Sequence, residues 1–345
     1  MNPTITTILI FNLATGTIIT MTSHHWLIAW LGLELNTLAI LPIISKTHHP
    51  RATEAATKYF LTQAAASALI LFASMINAKN TGQWNITQLE NPLSQTLMSM
   101  ALAMKLGLAP THFWLPEVTQ GTSLKTTLII ITWQKLAPMT LLYLTWDQIS
   151  PTIMTTMGML SVLIGGLGGL NQTQMRKVIA YSSIAHLGWM ATIISKSNML
   201  ALLNVIIYIT ITTPLMLSLI LLHTKTTLDL TTTWTTSPTL TTLLMITLLS
   251  LGGLPPLTGF IPKWLTMEEL LTHNTTPTAI ILAMTTLLSL FFYLRLTYSL
   301  AITMAPNSTK APNKWRFKPT MNTTTKTTTM TMALLTLPLL PMMKP

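Results

Sequence analysis

Long apolar segments separated by short polar connections fill almost the whole chain. Most of them approach the roughly 20 residues that an α-helix needs to cross a hydrocarbon core of about 30 Å. They contain few charges, as membrane-spanning helices do. The pattern predicts a polytopic membrane protein with eleven helices and no soluble module. The predicted segments are residues 3–21, 26–45, 56–77, 95–117, 124–144, 152–171, 177–195, 199–222, 239–272, 277–303 and 327–343.

Two of these segments are interrupted by Pro and Gly. The fourth contains the stretch LAPTHFWLP, and the ninth contains LGGLPPLTGF. At 1.5 Å per residue, a continuous helix over 239–272 would measure about 50 Å, which exceeds the thickness of the bilayer core. We therefore predict two broken helices, with breaks at about 109–112 and 253–258.

The two breaks occupy corresponding places in the two halves of the chain. Each lies in the fourth segment of a group of five, and Lys105 and Lys263 are 158 residues apart. Interrupted helices at corresponding places indicate a transporter built from internal repeats. Because each half has an odd number of spans, we predict an all-α fold of two inverted five-helix repeats, at about 3–144 and 152–303. With a last helix at about 327–343, the whole chain forms one membrane domain.

Composition agrees with a membrane protein and excludes several kinds of site. Only 8% of the residues are charged, against roughly 25% in soluble domains. The chain has no cysteine, so it cannot form disulfides, thiolate metal sites or iron–sulfur clusters by itself. We predict no metal site, because the histidines and acids do not recur at ligand spacing.

The net charge of +11 would suggest nucleic-acid binding in a soluble protein. Here the positions of the cations explain it better. If alternate connections face the same side of the membrane, twelve cations lie on the side of the N-terminus and three on the other. The positive-inside rule then places the N-terminus on the cytoplasmic or matrix side. We expect no nucleic-acid partner.

Five charged residues lie inside the apolar segments: Glu34, Lys105, Lys135, Lys263 and Arg295. A charge at the centre of a spanning helix costs about 2.5–3.5 kcal/mol on insertion scales. Such groups face protein or water and by default mark a pathway. Arg295 lies about 12 Å from the end of its segment at 1.5 Å per residue, and we interpret it as snorkelling to the interface.

Four titratable groups share a predicted depth: Glu34, Lys105, Lys135 and His186. Each lies far enough into its segment to be about 12–17 Å deep at 1.5 Å per residue, near the midplane. Lysine suits proton transfer, because burial disfavours its charged form and a nearby carboxylate favours that form. The arrangement predicts lateral proton transfer, with a static Glu34–Lys105 ion pair as the alternative.

The break beside Pro110 adds a candidate. Backbone groups freed by a helix break need water or polar partners at mid-depth, which predicts a hydrated cavity beside Lys105. His112 follows the break, and we interpret it as a relay between that cavity and the lysine.

Four stretches, in this order, resemble the antiporter-like membrane subunits of respiratory complex I: MKLGLAPTHFWLPEVTQG, WQKLAPM, QMRKVIAYSSIAHLGWM and SLGGLPPLTGFIPKW. The resemblance covers essentially the entire chain, and the Thr- and Met-rich composition is similar to that of animal mitochondrial gene products. It implies a proton-translocating, multi-pass subunit of NADH:ubiquinone reductase in the mitochondrial inner membrane, where the charge distribution described above predicts an N-terminus in the matrix. It also implies that this chain has no redox cofactor, since other subunits bind NADH, FMN, the iron–sulfur clusters and ubiquinone.

The resemblance also implies roles for individual residues. Glu34 matches the family's glutamate, which modulates the lysine of the first broken helix, here Lys105. Lys135 matches the connecting lysine, and Lys263 matches the lysine of the second broken helix. The two histidines named above match polar relay positions.

The implied partners are other membrane-arm subunits, including neighbouring antiporter-like subunits, and membrane lipids. Bacterial relatives have further N-terminal helices, so we expect other subunits to cover that flank here. Two alternatives remain: a free-standing cation/proton antiporter and a non-conducting structural membrane subunit. The mid-depth titratable groups argue against the second. The absence of an acidic oxygen cage for a hard cation argues mildly against the first.

Overall fold

We describe a computed structural model of the chain at residues 2–235, 237–301 and 330–331. This described part is helical and contains no β-sheet, which confirms the all-α prediction. Its helices are α1 (Pro3–Thr22), α2 (Trp26–Ile44), α3 (Pro50–Thr81), α4 (Pro92–Leu106), α5 (Trp114–Gly121), α6 (Leu124–Ile131), α7 (Trp133–Leu144), α8 (Pro151–Leu170), α9 (Met175–Ile193), α10 (Asn198–Leu222), α11 (Thr227–Thr231), α12 (Pro238–Gly252), α13 (Phe260–Thr272) and α14 (Thr276–Ala301).

Seven helical segments of the described chain are long and apolar enough to cross a membrane. They are α1, α2, α3, the α6–α7 segment, α8, α10 and α14. This supports a multi-pass membrane protein. The predicted last helix at 327–343 lies outside the described residues, apart from Met330 and Thr331.

The first predicted break is present and begins at a glycine. Helix α4 ends at Leu106, and α5 begins at Trp114. Gly107 caps α4 with a φ of 76°, and the Leu108 N–H donates to the Ala103 carbonyl at 2.9 Å. This helix ending requires the left-handed conformation that glycine adopts without steric cost.

The second break has the same construction. Helix α12 ends at Gly252, Gly253 caps it with a φ of 81°, and α13 begins at Phe260. The segment from Gly253 to Phe260 is as long as the segment from Gly107 to Trp114. Two different sequences therefore form breaks of equal length.

Lys105 and Lys263 lie on opposite sides of their breaks. Lys105 lies on α4, before its break, whereas Lys263 lies on α13, after its break. The capping glycines Gly107 and Gly253 are 146 residues apart, and at that spacing Leu251 corresponds to Lys105. The 158-residue spacing of the lysines therefore exceeds the 146-residue spacing of the capping glycines because the two lysines lie on different halves of their broken helices.

The predicted span at 124–144 is present, but it is interrupted at one residue. Helix α6 ends at Ile131 and α7 begins at Trp133, with Thr132 between them. The Thr132 hydroxyl donates to the Leu128 carbonyl at 2.7 Å, a contact that often bends helices. The hydrophobic pattern of the sequence does not reveal such a local interruption of a helix.

Close helix contacts recur in both halves of the chain. A Cβ added to Gly16 of α1 would lie 2.9 Å from the Gly32 carbonyl of α2, and one added to Gly165 of α8 would lie 2.9 Å from the Tyr181 carbonyl of α9. Both contacts allow two backbones to approach closely, as small residues do in membrane helices. A continuous buried apolar cluster joins residues from both halves.

Arg295 has a protein partner that the snorkelling interpretation did not include. Its guanidinium donates to the carbonyls of Leu170 and Gln172, the latter at 2.8 Å. These carbonyls lie at the C-terminal end of α8, where a cation is stabilising. Arg295 therefore links α14 to the end of α8.

Candidate functional site

Lys105 and Lys135 line the same small cavity. The two lysines are 4% and 1% exposed, respectively. The space that the centre of a water molecule can occupy in this cavity is about 10 Å³. This is close to the space that one water needs. Its wall also contains Leu33, Asn36, Thr37, Tyr59, Gln63, Trp114, Gln134, Ala137 and Pro138.

Lys135 is bound to the end of the first half of the broken helix. Its ammonium donates to the carbonyl of Leu106, the last residue of α4. It also lies 5.3 Å from the centre of the Trp114 ring on α5, within the range of a cation–π interaction. Lys135 therefore contacts both sides of the break.

Lys105 and Glu34 do not form a direct ion pair. None of the ion pairs in the described part of the chain includes either residue. The ammonium of Lys105 and Oε2 of Glu34 are buried and have no protein hydrogen-bond partner. Leu33 and Asn36, which lie beside Glu34 on α2, nevertheless line the first cavity. The structure thus brings the acid near the first cavity without direct contact to the lysine.

His186 and Lys263 line a second cavity, next to the second break. The Lys263 ammonium donates to the carbonyl of Gly252, the last residue of α12, at 2.8 Å. Nε2 of His186 lies 3.5 Å from the Tyr293 hydroxyl. The space that the centre of a water molecule can occupy in this cavity is about 20 Å³, which is enough for about one water. Its wall also contains Trp189, Asn204, Ile207, Tyr208, Ile211, Leu251, Gly259 and Pro262.

His112 lies within the first break but lines neither cavity. Its side chain is 3% exposed, and its ring centre lies 4.3 Å from that of Phe113. Its Nδ1 has no hydrogen-bond partner within the protein. The structure therefore places His112 beside the broken helix but does not bring it to the cavity of Lys105.

Sequence reasoning missed the buried amides on the cavity walls. Asn36, Gln63 and Gln134 line the first cavity, and Asn204 lines the second. Each has at least one buried polar atom without a protein partner. The signal that could have found them is an Asn or Gln inside an apolar spanning segment, where polar groups need partners.

The polar groups of both cavities can donate, accept and exchange protons. Among the described residues, no group of three or more His, Cys, Asp or Glu could hold a metal ion. Lysine and histidine can accept and release protons, and amides can both donate and accept hydrogen bonds. The arrangement can therefore hold water beside groups that exchange protons.

Most of the chain matches one protein-family model. Residues 23–289 match the family described as NADH:quinone oxidoreductase/Mrp antiporter, TM. Residues 290–344 match the family described as NADH dehydrogenase subunit 2 C-terminus. Together the two matches extend over nearly the entire sequence.

Curated relatives match at high identity over their full length. The chain is 57% identical to NADH-ubiquinone oxidoreductase chain 2 of Varanus timorensis over 343 residues, which cover 99% of each protein. It is 50% identical to the protein of the same name from Sus scrofa over 341 residues, which cover 99% of this chain and 98% of that one.

Two solved assemblies contain chains of similar fold. A chain of respiratory complex I from Thermus thermophilus with bound Aureothin superposes with a TM-score of 0.81 at 25% identity, covering 98% of this chain and 79% of that one. A chain of the Mrp complex from Dietzia sp. DQ12-45-1b gives a TM-score of 0.77 at 16% identity, covering 87% and 61%, respectively. The chain shares its fold with both.

Proposed function

Because the chain belongs to the NADH-ubiquinone oxidoreductase chain 2 family, a membrane subunit of respiratory complex I, we propose that it translocates protons through its two lysine cavities. The proposed proton-transfer groups are Glu34, Lys105, Lys135, His186 and Lys263. His112 is proposed as a further relay at the first break. Electron transfer from NADH to ubiquinone takes place in other subunits, which hold FMN and the iron–sulfur clusters, and this chain binds no redox cofactor.

The observation that carries this proposal is the position of Lys135 and Lys263. Each ammonium donates to the last carbonyl of a helix that breaks inside an apolar segment, and each lines a cavity of about one water. Ionisable groups at such positions are costly and are by default functional. The recurrence of the same arrangement at both breaks favours a pathway over a scaffold.

The proposed transfer steps follow the contacts in each half. Glu34 stabilises the charged form of Lys105, and displacement of the carboxylate favours proton release. The released proton passes through the first cavity to Lys135. In the second half, Lys263 and His186 exchange a proton through the second cavity, and Tyr293 bonds to the histidine. Each step moves one proton between two named groups.

We propose that α1–α7 and α8–α14 are two inverted repeats. The Trp26 N–H donates to the Trp84 carbonyl at 3.1 Å, and the Met175 N–H donates to the Lys225 carbonyl at 3.0 Å. These two contacts tie equivalent connections together in each half. The equal lengths of the breaks support the same relation. The predicted helix at 327–343 completes a proposed total of eleven spans.

We propose that the subunit resides in the mitochondrial inner membrane with its N-terminus in the matrix. The distribution of cations between the two sets of connections supports this orientation. Other membrane-arm subunits, including neighbouring antiporter-like subunits, and lipids are the proposed partners. Helix α1 supports such contacts, because Ile8 and Phe11 are 58% and 67% exposed.

The test is proton translocation by assembled complex I that carries Lys105→Met. Methionine has a similar length but cannot exchange a proton. We expect the complex to assemble and NADH-driven proton uptake into vesicles to fall severalfold. Wild-type uptake by equal amounts of assembled complex would overturn the proposed role. Native gels test the free-standing antiporter alternative, which predicts a small species that separates from NADH dehydrogenase activity.

A further inference from the structure

Two buried amides occupy corresponding walls of the two cavities. Gln63 on α3 lines the cavity of Lys105, and Asn204 on α10 lines the cavity of Lys263. Gln63 is 4% exposed and Asn204 is 7% exposed. Nε2 of Gln63 and both polar side-chain atoms of Asn204 have no hydrogen-bond partner within the protein. Buried polar groups without a partner are rare, so each needs a physical explanation.

The two amides are equivalent under the proposed repeat. The isolated β-bridges place Asn85 and Thr226 at corresponding points after α3 and α10, and these residues are 141 positions apart. Gln63 and Asn204 are also 141 positions apart. An unpartnered amide therefore faces a lysine-lined cavity at the same position of both halves.

Each cavity has the size and the polar wall of a single-water site. The volumes are about 10 Å³ and 20 Å³, and one water needs at least about 10–15 Å³ together with two to four polar partners. The first wall provides Lys105 and Gln63, and the second provides His186, Lys263 and Asn204. Purely apolar cavities of this size stay dry, whereas these walls are polar.

We propose that Gln63 and Asn204 are positioning residues that each hold a water molecule between the proton-transfer groups of their cavity. The water at Gln63 connects Lys105 to Lys135, and the water at Asn204 connects His186 to Lys263. An amide both donates and accepts hydrogen bonds, so it orients the water without trapping the transferred proton. This inference rests on the proposed proton-translocating function.

Asn204 provides the sharper test of the two. Gln134 and Asn36 also line the first cavity and have unpartnered amide atoms, so they can replace Gln63 in part. On the wall of the second cavity, Asn204 is the only amide among the described residues. Its removal therefore leaves no equivalent group beside His186 and Lys263.

The experiment compares Asn204→Leu, Asn204→Ser and wild type in assembled complex I. Leucine has a similar size but no polar atoms, and serine can again donate and accept. We expect NADH-driven proton uptake to fall severalfold in Asn204→Leu and to recover in part in Asn204→Ser. Ile206→Val, at a residue of the same helix that is 51% exposed and does not line the cavity, is the matched control and should leave uptake within twofold of wild type. A cryo-EM map that resolves waters should show one within hydrogen-bond distance of Asn204.

Wild-type uptake in Asn204→Leu would overturn the inference, as would a wild-type map that resolves other buried waters but none at Asn204. The map decides the question even if Asn204→Leu fails to assemble. Lys263→Met, measured in parallel, separates this inference from the proposed function. If Lys263→Met abolishes uptake and Asn204→Leu does not, only the inference fails. If neither changes uptake, the proposed function fails with it.

Discussion

The ammonium groups of Lys135 and Lys263 donate to equivalent carbonyls. Lys135 bonds to Leu106, the last residue of α4, and Lys263 bonds to Gly252, the last residue of α12. The two lysines lie on different kinds of helix. Lys135 lies on α7, outside the broken helix α4–α5, whereas Lys263 lies on α13, the second half of the broken helix α12–α13. The C-terminus of a helix carries a partial negative charge that stabilises a cation. Proton release from either lysine therefore weakens the contact that holds the end of a broken helix.

Lys263→Met removes the donor to the Gly252 carbonyl. We predict that the backbone amides of the non-proline residues in 253–259 exchange with deuterium severalfold faster in the variant, because the end of α12 loses a charge-assisted contact. Hydrogen–deuterium exchange of the assembled complex measures this. Lys79→Met, at an exposed position near the end of α3, is the control. Unchanged exchange at 253–259 would mean that the lysine does not stabilise the break.

Gly107→Ala tests the conformation of the first break. The φ of 76° at Gly107 costs an L-residue about 1–2 kcal/mol, and the new Cβ would lie 3.2 Å from Leu115 Cδ1. We predict that the variant complex loses this subunit at a lower temperature than the wild-type complex does, as measured on native gels after graded heating. Gly252→Ala is the control, because it lies in a helix and its Cβ would meet Tyr293 at an ordinary 3.7 Å. Equal stability of both variants would contradict the requirement for a left-handed residue.

Gly16→Val tests the close approach of α1 to α2. A Cβ at Gly16 would lie 2.5 Å from Oδ1 of Asn36 and 2.9 Å from the Gly32 carbonyl, so the helices must separate. We predict a severalfold loss of assembled complex, measured by the intensity of the holocomplex on native gels. Ile10→Val, at a residue that is 58% exposed on the same helix, should assemble normally. Normal assembly of Gly16→Val would show that the contact is dispensable.

Much of the fold follows from the sequence by simple physical rules. Apolar length predicts the spans, and Gly and Pro inside two of them predict the breaks, which the structure begins at Gly107 and Gly253. The interruption at Thr132 was not predictable in this way, because neither Gly nor Pro lies at that position. Helix boundaries at Gly or Pro can be predicted from the sequence, whereas this one cannot.

The candidate site was predictable in part. Depth along the membrane normal groups Glu34, Lys105, Lys135 and His186, but it contains no information on lateral distance. For that reason it could not show that His186 lines a different cavity from the two lysines, or that Glu34 and Lys105 lack direct contact. The cavity amides were not predicted, because the candidate residues were chosen for their charge or their ability to titrate, and amides are neutral.

Lys135→Arg tests the central claim most directly, because arginine keeps the charge but effectively never releases its proton. The measurement is NADH-driven proton uptake into vesicles that contain equal amounts of assembled complex, with Lys135→Met alongside as the neutral variant. If Lys135 relays protons, both variants slow uptake severalfold. If Lys135 only holds the end of α4 by its charge, Lys135→Arg pumps at the wild-type rate and Lys135→Met alone is impaired. The proposed relay predicts the first result, and the second would contradict it.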